Sequence, residues 1–115
     1  MNYKTLFLGM LLFLLGQIGA WYQTNGQFIS TWIKNNPLAM ALIGIPVSLL
    51  YIKATEYIAF TFDGQLWPTR LIGFSMGILS FVFLTYYHLN EGVNLKTGII
   101  LFLATLIVVI QVFWK

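Results

Sequence analysis

Four apolar stretches of about 20 residues, at about 4–24, 37–60, 69–88 and 97–114, constrain this chain more than any other feature. Roughly 20 helical residues cross a hydrocarbon core of about 30 Å, so each stretch is long enough to span a bilayer. Lipid offers backbone N–H and C=O groups no water to bond, which leaves helices or a closed barrel, and the alternation of barrel strands is missing. The expectation is an all-α integral membrane protein, with four transmembrane helices in a bundle forming a single domain over residues 1–115. Composition agrees: 59% of the 115 residues are apolar and 8% are charged, too few charges to cover a water-exposed surface.

The segment boundaries carry ordinary interface chemistry. Lys4 precedes an apolar run in the manner of a secretory leader, but Gln17, Trp21 and Tyr22 follow without a small-x-small cleavage site, so a retained first span is expected. Asn25-Gly26 is a helix stop, and Phe28, Trp32 and Lys34 suit an interfacial segment. Asn35-Asn36-Pro37 predicts a helix start, with an amide cap and a proline in the first turn. Phe62-Asp63-Gly64 reads as a turn, and Trp67-Pro68-Thr69 opens the third span with Arg70 in its first turn. His88, Asn90 and Glu91 mark the next boundary, with His88 expected as a wet interfacial residue. Phe113-Trp114-Lys115 ends the last span, with Lys115 snorkelling toward the headgroups.

The net charge of +3 comes from basic residues placed singly along the chain, which form no patch of the kind that binds nucleic acid. Both termini fall on one side of four spans. Lys4, Lys53, Arg70 and Lys115 on that side against Lys34 and Lys96 on the other favour cytoplasmic termini in a plasma or inner membrane. So narrow a margin also leaves room for insertion in both orientations. Cysteine is absent, which rules out thiolate chemistry and palmitoyl anchoring.

Few residues inside the spans carry chemistry. Pro46 breaks the hydrogen-bond ladder of the second span and frees the carbonyl near Leu42, either as a packing feature or as a break facing a cavity. Lys53 and Glu56 stand at i and i+3, where they can pair, about 24 Å along the helix from Pro37. They are either the wet end of the helix or a polar site within it. Gln17 lies mid-span beside a small-residue face at Gly16 and Ala20, and Gly73 and Gly77 form a GxxxG face on the third span. One histidine and the acids Glu56, Asp63 and Glu91 make neither a metal cluster nor a general-base site, so no enzyme activity, metal or cofactor is expected.

Several stretches resemble the drug/metabolite transporter superfamily, whose smallest members are four-helix proteins of this size. GQLWPTRLIGFSMGILSFVFL followed by NEGVNLKTGIILFLATLIVV is similar to its pattern of a helix, a short glutamate-containing loop and a glycine-led final helix. LLGQIGAWY resembles both the first span of small multidrug-resistance proteins and that of an uncharacterised four-helix group, which also carries the PL and EY seen at Pro37-Leu38 and Glu56-Tyr57. The resemblance, together with the polar groups inside the spans, points to a transporter of a small solute with Gln17, Tyr22, Lys53 and Glu56 as polar lining. A homodimer is expected from size, because four helices can hardly surround a solute pathway while eight can, with the small faces letting helices approach. The chain departs from small multidrug-resistance proteins where it matters: Gln17 stands at the position of their membrane-embedded glutamate, which removes the proton carrier of cation export. The alternative expectation is a non-transporting accessory subunit of a larger membrane complex.

Overall fold

The computed structural model describes residues 2–114, so the expectation for Lys115 lies outside the described residues. The long helices are α1 (Tyr3–Asn25), α3 (Pro37–Thr61), α4 (Trp67–Leu89) and α5 (Leu95–Phe113), with a short α2 (Thr31–Asn35) after a single 3-10 turn at Gly26–Phe28. All four long helices are long and apolar enough to cross a membrane. Even the shortest, the 19-residue α5, extends about 29 Å at 1.5 Å per residue.

Local chemistry sets the ends. The Asn2 side chain accepts from the N–H groups of Lys4 and Thr5, Ser30 from that of Ile33, and Asn94 from that of Thr97, each satisfying donors that a helix start leaves free. The expected amide cap on α3 is not made. The Asn36 Nδ2 group instead donates to the Trp32 carbonyl at 2.7 Å, closing α2, while Pro37 opens α3 without needing an N–H partner. Asp63 and Gly64 take positive φ (57° and 84°) in the α3–α4 turn, and Asn90 takes φ 56° at the end of α4.

The molecule is flat, 47 × 36 × 19 Å. Helix α1 packs along α3 on one side and α4 on the other, α5 rests on α4, and α3 barely touches α4. The tight contacts are made at glycines. A Cβ on Gly9 would lie 2.5 Å from Ile58 Cδ1, and one on Gly16 would lie 2.9 Å from the Tyr51 ring, so at these points the α3 side chains pack directly onto the α1 backbone. The core gathers Leu6 and Phe13 of α1, Ala54 and Ile58 of α3, Ile72 of α4 and Val112 of α5. A hydrogen bond of 2.7 Å between the hydroxyls of Thr5 and Thr61 ties the first turn of α1 to the last turn of α3.

The two small-residue faces pack differently. Gly16 and Ala20 do not act as one face, because Gly16 meets Tyr51 of α3 while Ala20 borders a cleft against α4. Gly73 and Gly77 do form one face, and it packs within the chain against Phe13 and Gln17.

Candidate functional site

Because α3 and α4 diverge above α1, a cleft of about 840 Å³ opens between them. Its walls include Tyr51 and Thr55 of α3 and Thr69, Arg70, Phe74, Ile78 and Phe81 of α4, with Phe13 and Gln17 of α1 at its floor. That volume falls within the range of about 300–1,000 Å³ typical of small-molecule sites. A smaller cleft of about 200 Å³ continues along α1 and α4, lined by Ala20, Trp21, Thr24, Asn25 and Ser80. Gln17, Gly77 and Phe81 border both. The pair of clefts thus runs from Arg70, in the first turn of α4, past mid-span to Asn25 at the far end of α1.

Gln17 holds the junction. Its Nε2 donates to the Gly73 carbonyl at 3.4 Å, and its carboxamide lies 2.9 Å from where a Cβ on Gly77 would stand. A carboxamide offers donors and acceptors but takes up no proton, so Gln17 can orient a ligand without carrying charge across. Among the described residues Arg70 is the only charged side chain in either lining, and it has no carboxylate within salt-bridge distance. No family model, curated protein or solved structure matches the chain.

The other residues singled out from the sequence lie elsewhere. Tyr22 borders neither cleft, and its hydroxyl sits 2.6 Å from His88 Nε2 where α1 and α4 end together. His88 is therefore held by partners at the helix end. It is half-buried, stacked on Trp21 with ring centroids 5.3 Å apart and edge-on to Tyr87, while the Trp21 indole N–H donates to Thr85 at 3.1 Å. These contacts clamp the helices at one end, a structural role for which the pattern of a single histidine among tyrosines gave little signal.

Lys53 Nζ lies 3.0 Å from Glu56 Oε2, and both side chains are 62% exposed. Ala54 and Ile58 are fully buried against α1, which places Glu56 on the opposite, outward side of α3. Lys53 comes eight residues before the end of α3 at Thr61, about 12 Å into the span, so it belongs to no loop and drops out of the count of flanking charges. Pro46 is exposed and also faces away from both clefts.

Sequence reading overlooked Tyr51, Thr55, Thr69 and Arg70 as cleft residues. Arg70 carried a usable signal, since an arginine placed just inside a span has to meet either headgroups or a polar cavity.

Proposed function

We propose that the chain is a subunit of a membrane transporter of drug/metabolite type that acts as a homodimer and moves a small solute along the seam between α1 and α4. The observation that supports this reading is the pair of clefts meeting at Gln17, one reaching toward each end of the span. Alternating access requires a polar site near mid-span that either end can reach, and Gln17 with the backbone of Gly73 supplies one. Among the described residues no carboxylate side chain lines either cleft, which speaks against cation export coupled to protons at this site. Pairing of copies would cover the outer face of α3, where Leu42, Ile45, Leu49 and Ile52 accompany the Lys53–Glu56 ion pair. Cytoplasmic termini rest on Lys4, Arg70 and Lys115 against Lys34 and Lys96.

The cysteine-free chain provides the test. Gln17→Cys in sealed vesicles is treated with an impermeant maleimide from each side, alongside a flux assay in proteoliposomes across metabolites and ions. Labelling from both sides together with flux is the expected result. Labelling from one side only, with no flux for any solute, overturns the reading.

The exposed ion pair on α3 also favours a second reading, an accessory subunit docked by that face onto a larger complex. Stoichiometric recovery of a larger membrane partner from native membranes would support it, and recovery of self-copies alone would remove it.

A further inference from the structure

The larger cleft has a shape and polarity that select a class of ligand. Among the described residues Arg70 is the only charged side chain lining it, and it sits in the first turn of α4, where the partial positive charge of the helix start has the same sign. The field at this end therefore attracts an anion and repels a cation. Deeper in, the walls are apolar and aromatic: Phe13, Phe74, Ile78 and Phe81. From Arg70 to Phe81 is eleven residues along α4, or about 16 Å, close to half of the roughly 30 Å hydrocarbon core. The cleft thus reaches from headgroup level to about the bilayer centre, where Gln17 closes its floor.

It also opens sideways. Phe74 and Phe81 are each 51% exposed, because the gap between α3 and α4 faces the surroundings of the molecule and not its core. In a bilayer those surroundings are acyl chains, so a ligand reaches the cleft from within one leaflet. A charged head at one end, an apolar wall one leaflet deep and a lateral opening together describe a lipid-like molecule. The gap follows from the sparse contact between α3 and α4, which suits a single chain better than a pair.

We propose that the cleft between α3 and α4 binds a single-chain anionic amphiphile, such as an alkyl phosphate or a fatty acid, with its head on Arg70 and its tail along Phe74, Ile78 and Phe81. This names the solute class of the transport reading and depends on that reading only for the movement of the ligand once bound. Thr55 and Thr69 line the same cleft, the Thr69 hydroxyl donating to the Gln65 carbonyl at 3.5 Å, and Gln17 meets the end of the tail, where it marks the step to the smaller cleft.

The test uses the full chain in phosphatidylcholine nanodiscs with hexadecyl phosphate carrying a mid-chain diazirine. After photolysis, adducts are mapped by mass spectrometry. They should fall on Phe74, Ile78 and Phe81, and hexadecyl phosphate should suppress them about tenfold more effectively than hexadecanol or hexadecyltrimethylammonium. Arg70→Gln should lower the adduct yield by about tenfold, and Arg70→Lys, which keeps the charge on an exposed position, should retain most of it. Adducts spread over the outer faces of α3 and α5, equal competition by the alcohol, or indifference to Arg70→Gln would overturn the proposal. Stronger competition by phosphatidylglycerol would overturn it in favour of a two-chain lipid. Adducts are read without flux: if they persist where transport fails, only the transport reading falls, whereas flux of an uncharged solute without Arg70-dependent adducts removes only the amphiphile.

Discussion

The Gln17 carboxamide lies 2.9 Å from the point where a Cβ on Gly77 would stand, so the polar group joining the two clefts keeps its place because the facing helix lacks a side chain there. Gly77→Ala should push this flexible carboxamide aside and leave the helices almost where they are. We expect stability within about 0.5 kcal/mol of wild type and solute flux lower by about tenfold. Thermal unfolding in detergent and proteoliposome flux check the two halves, and unchanged flux would remove Gln17 from the path.

Gly9 should behave in the opposite way. A Cβ there would meet Ile58 Cδ1 at 2.5 Å and the Ala54 carbonyl oxygen at 3.3 Å, so α1 and α3 have to separate or Ile58 has to move. Overpacking of this kind costs about 1–3 kcal/mol, and we expect Gly9→Ala to lower the unfolding temperature. In an Ile58→Ala background, where the same space is free, the cost of Gly9→Ala should shrink. An equal cost in both backgrounds would contradict the contact.

For Lys53 and Glu56 the prediction concerns pairing. Glu56→Leu leaves an unpaired lysine about 12 Å inside α3, and a lone charge in a span is unfavourable. Insertion should drop in this single variant and recover when Lys53→Leu is added. If the outer face of α3 joins two copies, the double variant should also lose self-association in cross-linking experiments. Dimers of wild-type strength in the double variant would place the interface elsewhere.

Pro46 lies on the exposed side of α3 and borders neither cleft. Pro46→Ala should therefore leave flux within about twofold of wild type, with stability equal or higher because the backbone bond to the Leu42 carbonyl is restored. Loss of flux in this variant would show that the break in the hydrogen-bond ladder at Pro46 takes part in transport.

How much could be read without the structure differed from residue to residue. Asn25-Gly26, Phe62-Asp63-Gly64 and Trp67-Pro68 are turn and interface signals whose physics is local, and the helices end where they stand. Gly16 and Ala20 look like one small face in sequence, yet α1 is wedged between two helices and turns Gly16 to α3 and Ala20 to α4. Tyr51 and Thr55 are hidden in an apolar run, and they matter only because α3 leans away from α4 beside them. Tyr22 and His88 are separated by 66 positions, so their hydrogen bond follows from the parallel course of α1 and α4 and from no local motif.

The sequence by itself determined the existence of four spans, their approximate ends, the lack of metal-binding and thiol motifs, and the helical spacing that pairs Lys53 with Glu56. These follow from hydropathy over about 20 residues and from contacts within one or two turns, which a chain carries wherever its neighbours lie. Only the tertiary structure decided that Gln17 and Arg70 share a cleft, that the glycine faces are filled within one chain, and that the ion pair faces outward. Lipid surrounds every apolar helix face equally well, so hydropathy does not choose which faces meet, and that choice falls to the close fit of glycines against Ile58, Tyr51, Phe13 and Gln17.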